Sequence, residues 1–123
     1  MMSYILVGLG GAAGAIARVA LSRILPSFIF GLPLKILCVN ILGCFAMGLL
    51  TAVMALYWGA STNMRHFLIQ GLLGGFTTFS AFSLEFGLLY EKGFYASAIV
   101  YATLSVVLCL FSFFLGLKLI KIF

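Results

Sequence analysis

Charge is scarce in this chain. Of its 123 residues only 7% are Asp, Glu, Lys or Arg, and the acids number two, Glu85 and Glu91. A soluble domain of this length carries roughly a quarter charged residues on its surface, so a water-facing fold is excluded. Few acids, rather than many bases, produce the net charge of +5. No polar face gathers the bases as a nucleic-acid partner requires, so none is expected. With a single histidine, no carboxylate pair and no nucleophile beside a base, metal-cluster and enzyme chemistry have no foothold. The three cysteines, Cys38, Cys44 and Cys109, stand singly inside apolar runs and read as small apolar side chains, without disulfide or metal-site spacing. The opening Met1-Met2-Ser3-Tyr4 has no basic region, and Arg18 interrupts the apolar stretch, which argues against a removable signal peptide.

What is abundant is apolar surface. Hydrophobic residues make up 65% of the chain and the mean hydropathy is +1.32. Only lipid accepts that much, and a helical crossing of the hydrocarbon takes about 20 residues. Four windows qualify, about 4–25, 34–58, 67–90 and 95–117. The sequence therefore predicts one all-α, four-helix transmembrane domain over 1–123, with a basic tail from Lys118 to Lys121. Tyr57, Trp58, Tyr90 and Tyr95 fall at window ends, where interfacial aromatics belong. With the N-terminus inside, Arg65, Lys118 and Lys121 face inward and Arg23, Lys35 and Lys92 outward. This near balance leaves two readings: a short chain with no topological signal, or copies inserted both ways up and paired as an antiparallel dimer. Four helices scarcely enclose a polar path, so an oligomer is expected under either.

The third window holds the densest polar content, Gly71-Leu72-Leu73-Gly74-Gly75-Phe76-Thr77-Thr78-Phe79-Ser80-Ala81-Phe82-Ser83. Gly, Thr and Ser are poor helix formers, and their concentration at mid-membrane predicts a broken helix. Backbone groups freed there need partners in protein, water or ions. Freed carbonyls suit a cation and half-helix N-termini an anion. Gly71 and Gly75 also form a small-xxx-small packing face, which is compatible with a break. Phe79 and Phe82 share a face if helix resumes after the break. They read either as lipid or core residues or as rings whose positive edges line an anion path. Thr78, Ser80 and Ser83 add hydroxyl donors beside them.

Elsewhere, Asn40 is the lone amide in the apolar run of the second window. It either ties helices together or offers its NH2 to an anion. Tyr101, Ser105, Cys109 and Ser112 recur at spacings of four, four and three along one face of the fourth window. That face is a polar track or a row of side chains bonded back to their own helix. Arg18 and Glu85 are the deepest charges, with structural anchoring or mutual pairing ahead of ion handling. His66 reads as interfacial. Gly8-Leu9-Gly10-Gly11-Ala12-Ala13-Gly14 looks superficially like a dinucleotide fingerprint, but no strand or acidic residue accompanies it. Gly10 and Gly14 better serve helix packing.

Three motifs carry a resemblance: Gly-Ala-Ile-Ala-Arg ending at Arg18, Val-Asn-Ile-Leu-Gly around Asn40, and Gly-Gly-Phe-Thr-Thr-Phe-Ser-Ala-Phe-Ser from Gly74. Over nearly its whole length the chain resembles the CrcB/Fluc family of bacterial fluoride channels. The resemblance implies an antiparallel, dual-topology homodimer in the lipid of the bacterial inner membrane, exporting fluoride passively through two pores. It implies a structural sodium ion at the dimer centre, held by the carbonyls of Gly74 and Thr77 from both subunits. Phe79 and Phe82 would be the pore phenylalanines with Asn40 near them, and Tyr101, Ser105 and Cys109 would lie on a hydroxyl-rich track. No other protein partner is implied. Two departures stand out: Cys109 replaces a hydroxyl on that track, and Lys35-Ile36-Leu37 stands where family members often have Gly-Thr-Leu. The rival readings are a small multidrug exporter, whose first span needs a carboxylate that is replaced here by Arg18, and a non-transporting assembly subunit, which needs no donors at mid-membrane.

Overall fold

Long apolar helices with their polar breaks at the ends account for most of the architecture. The computed structural model describes residues 1–122. Its four helices long and apolar enough to cross a bilayer are Met2–Ile24, Lys35–Leu56, Thr62–Glu91 and Tyr95–Ile122. Helix α1 (Met2–Ile24) stops where Pro26 forces the preceding Leu25 into an extended conformation, φ −91° and ψ 148°. Segment 26–33, expected as a plain connection, folds into a small hairpin. Strands β1 (Phe28–Ile29) and β2 (Leu32–Pro33) pair antiparallel, Phe28 with Pro33 and Ile29 with Leu32. Phe30 and Gly31, at φ 55° and 77°, make the two-residue turn with both central residues left-handed. The hairpin delivers the chain directly to Lys35, the first residue of α2 (Lys35–Leu56).

The third span is built in pieces. Ser61 caps α3 (Thr62–Arg65) by accepting from the Met64 amide at 3.2 Å. A π-helical stretch, His66–Leu73, and one short turn, α4 (Gly74–Phe76), follow. Thr77 (φ −86°, ψ 154°) and Thr78 (φ −153°, ψ 127°) are extended, and helix resumes as α5 (Phe79–Glu91). Thr78 caps it, its hydroxyl accepting from the Ala81 amide at 3.2 Å. The expected break is therefore present, two residues wide at Thr77–Thr78. Helix α6 (Tyr95–Ile122) runs through the supposed basic tail, so Lys118 and Lys121 belong to its end. Nothing after Gly116 breaks a helix, and lysines near a C-terminus favour it electrostatically.

Glycines bring the spans together backbone to backbone. A side chain on Gly10 would meet the Phe67 carbonyl, one on Gly14 the Leu72 carbonyl, and one on Gly75 the backbone of Gly11. The small-residue faces of the first and third spans are thus one packed seam alongside the break. A second seam joins α2 to α6, with Gly48 against the Phe113 carbonyl and Gly116 against the Phe45 carbonyl. Leu37 meets Ala98 near one end, and further along Ile41 meets Ser112 and Gly48 meets Phe113, so the two helices run parallel. A core of Leu37, Leu89, Ala98 and Tyr101 forms where α2, α5 and α6 meet, with Phe82 and Phe86 packed on it. Large apolar side chains such as Leu9, Ile16, Leu110 and Phe111 remain exposed. They supply the surface that lipid or another subunit covers.

Candidate functional site

The break exposes backbone groups, and the site begins with what satisfies them. Asn40 on α2 holds the Thr78 peptide from both sides. Its Nδ2 donates to the Thr78 carbonyl at 3.0 Å, and its Oδ1 accepts from the Thr78 amide at 2.9 Å. The amide side chain replaces the two helical bonds that Thr78 has lost, which favours the structural reading of Asn40. Its second N–H is not used in either bond. Arg18 donates from Nε to the Gly75 carbonyl at 3.2 Å. Its expected alternative partner, Glu85, instead accepts from the Tyr101 hydroxyl at 2.9 Å. Mutual pairing of Arg18 and Glu85 is thereby corrected: each deep charge is spent on a separate neutral partner, Arg18 at the break and Glu85 one helix turn beyond Phe82. Thr77 turns its hydroxyl back to the Leu73 carbonyl at 2.9 Å. The Gly74 and Thr77 carbonyls accept no hydrogen bond among the described residues.

Beside the break lies a cavity of about 360 Å³, open on one side. Asn40, Thr77, Thr78, Phe79, Phe82 and Ser105 line it, together with Cys44 and Cys109. The Ser105 hydroxyl is buried and finds no hydrogen-bond partner among the described residues. An unpaired donor at the wall of an apolar cavity costs free energy unless a ligand or water meets it. The N-terminus of α5 opens at the same place, so its first amides carry the positive end of the helix dipole toward the cavity. Phe79 and Phe82 stack tilted at 57° with centroids 5.1 Å apart, and Phe82 continues onto Tyr101 at 5.3 Å. Phe79 is 76% exposed while Tyr101 is wholly buried. Those two phenylalanines are therefore not interchangeable: one projects from the chain and the other bridges cavity and core.

Other expected site residues fall elsewhere. Ser80 shares a hydrogen bond with the Thr78 hydroxyl at 3.1 Å but is exposed and off the cavity wall. Ser83 lies on a different side, in a recess shared with Tyr90 and Glu91. Tyr101 sits behind Phe82, and Ser112 donates to the Ile41 carbonyl at 2.9 Å, so the track on the fourth span is split between cavity, core and helix seam. His66 lies in the first π-helical turn, its Nδ1 buried and without a partner among the described residues. One grouping escaped the sequence reading. Lys35, Glu85 and Lys92 line a second hollow of about 330 Å³ beneath the hairpin. Lys35 and Lys92 thus lie at one end of the molecule, linked to the cavity through Glu85, Tyr101 and Phe82.

Neutral donors, a helix N-terminus and aromatic rings thus surround one hollow, while Lys35 and Lys92 line a separate one at the end of the molecule. Comparison with known proteins gives the family. The family model described as CrcB-like protein, Camphor Resistance (CrcB), matches residues 5–117. The chain belongs to the CrcB family. It is 45% identical over 115 residues to the fluoride-specific ion channel FluC of Paracoccus denitrificans, covering 94% of this chain and 91% of that protein. It is 40% identical to the protein of the same name from Rhodopseudomonas palustris, with 98% of each chain covered. Identity to fluoride-specific ion channel FluC 2 of Nitrobacter hamburgensis is 41%, again over 98% of each. Membership in the CrcB family together with four apolar spans makes this a multi-pass membrane protein, of the inner membrane in bacteria.

Proposed function

We propose that the protein is a fluoride-selective channel that releases fluoride from the cytoplasm passively. The carrying observation is the cavity at the broken third span, where the unpaired Ser105 hydroxyl, Asn40 and the start of α5 meet Phe79 and Phe82. Membership in a family whose relatives are named fluoride-specific channels supports it. Fluoride enters cells as the neutral acid and dissociates at cytoplasmic pH, and an inside-negative potential then drives the anion outward without a coupled energy source. Donors without formal charge hold a small anion enough to dehydrate it and weakly enough to let it leave. Lys35 and Lys92 raise its concentration at one mouth. Nothing in this cycle requires catalysis. Purified protein in liposomes clamped by a potassium gradient is expected to release fluoride rapidly and chloride scarcely at all. Equal chloride flux, or no flux from folded protein, sinks this reading.

The working unit we propose is an antiparallel homodimer. Support comes from the open side of the cavity, the exposed Phe79 and the nearly balanced charges at the two ends. A second copy would complete the cavity wall. Single cysteines engineered beside Arg23 and beside Arg65 are each expected to react with an impermeant reagent from both faces of the membrane. Labelling from one face alone for each site rules out dual topology.

A sodium ion at the dimer centre belongs to the same proposal. Hard cations take oxygen ligands, and the carbonyls of Gly74 and Thr77 are unbonded at the break, with Gly74 exposed. These residues fit such an ion, which would neutralise converging carbonyl dipoles where two chains meet. Replacing sodium with a large organic cation is expected to weaken the dimer and reduce fluoride flux. Thr77→Ser should retain the sodium response because the carbonyl stays, and Gly74→Val should lose it by crowding the partner backbone. Unchanged dimer stability and flux without sodium would remove the site from the proposal.

A further inference from the structure

Two cysteines that looked unrelated in sequence come together at the cavity. The parallel seam of α2 and α6 is held in register by Gly48 packed against the Phe113 carbonyl and Gly116 packed against the Phe45 carbonyl. Cys44 lies four residues before Gly48 and Cys109 four before Phe113, so both are displaced one turn the same way along the seam and face one another at the cavity. Both line the cavity, both are free thiols, and they lie within mutual reach. Cys38, the third thiol, is not part of that wall. Among the described residues no third His, Cys, Asp or Glu joins the pair.

We propose that Cys44 and Cys109 form a two-coordinate site for a soft, thiophilic metal ion, and that an ion bound there blocks the fluoride cavity. Thiolates are soft ligands and select soft metals. Zinc requires four ligands, of which this wall offers two. Divalent mercury is satisfied by two sulfurs in a line, and the product is neutral, as an apolar cavity demands. With mercuric chloride, two S–H and two Hg–Cl bonds break and two S–Hg bonds form. Two protons and two chloride ions leave to water, with no change in oxidation state. The bound ion ties α2 to α6 beside Asn40, Phe79 and Ser105, filling the space a hydrated or partly dehydrated anion needs. The block rests on the fluoride reading, whereas the binding does not.

The test starts with Cys38→Ala protein in detergent, titrated with mercuric chloride and washed with a monothiol. Mass spectrometry is expected to find one mercury per chain that survives this wash and is removed by a dithiol. Adding Cys109→Ala or, separately, Cys44→Ser should leave a singly held ion that the monothiol strips. In liposomes, mercuric chloride should abolish most fluoride flux of the Cys38→Ala protein, the dithiol should restore it, and zinc should have no effect. Two mercury ions per chain, removal by the monothiol from the Cys38→Ala protein, or equal retention after loss of either cysteine overturns the site. Tight binding with undiminished flux overturns the block. Absence of flux before any metal is added speaks against the fluoride reading instead, and the stoichiometry still decides the site.

Discussion

Replacing Asn40 with alanine is expected to give the largest single loss, of both fluoride flux and folded stability. The side chain satisfies the amide and the carbonyl of Thr78 together, at 2.9 and 3.0 Å, at a place where the helix supplies neither bond. Each buried backbone group left unpaired costs about 1–3 kcal/mol, so the variant loses roughly 2–6 kcal/mol if both remain dry. The cap of α5 and the cavity wall depend on the same peptide, because Thr78 both lines the cavity and accepts from Ala81. Flux is expected to fall about 100-fold, the equivalent of roughly 3 kcal/mol in a barrier. Asn40→Asp separates the roles. It keeps the acceptor for the Thr78 amide but loses the donor and adds a negative charge, so flux should fall even where the variant folds. Thermal unfolding in detergent and liposome efflux read these out side by side. An alanine variant with normal flux and unchanged unfolding temperature would remove Asn40 from the site.

Phe79→Ile and Phe82→Ile carry the second large effect. Isoleucine roughly preserves apolar bulk, and such a swap costs a residue that merely packs under about 1.5 kcal/mol. It removes the ring, with its positive edge. If the rings act on the anion, each variant should lose flux roughly two- to tenfold while still forming dimers, since a ring's directional contribution is about 0.5–1.5 kcal/mol per contact. The structure adds a difference between them. Phe79 is largely exposed and touches the core little, so its replacement should leave the unfolding temperature unchanged. Phe82 lies between Phe79 and Tyr101, so its replacement also loosens the core and should lower that temperature. Normal conduction in both variants would make the phenylalanines packing residues and place the anion path elsewhere.

How much of this was legible in sequence differs residue by residue. The break at Thr77–Thr78 was, because a run of poor helix formers between Gly74 and Ser83 is a local property that no distant contact needs to supply. The pairing of Gly10 and Gly14 with the third span was legible in kind, as small residues one turn apart, though their partner was not. Arg18 and Glu85 stood out in sequence as the charges deepest in their spans, yet their partners were not readable. Arg18 finds a carbonyl 57 residues away and Glu85 a hydroxyl on α6. The hairpin at Phe28–Pro33 gave no alternating pattern long enough to register. Ser83 shared the motif of the third span but not its face, since the resumed helix turns it away from the cavity.

By itself the sequence determined the solvent, the number of spans and the position of the break, for these follow from apolar run length and backbone propensity, which act between near neighbours. It also carried the family, through motifs that are contiguous in the chain. Only the tertiary structure decided which polar groups meet. Asn40 clamps Thr78, Lys35 and Lys92 share a hollow, and Cys44 faces Cys109 because glycines let α1 and α6 lie against their neighbours at backbone contact. The rotation and register of helices packed that closely are set by many side chains at once, so which residues face a common cavity is a property of the packed bundle rather than of any one span.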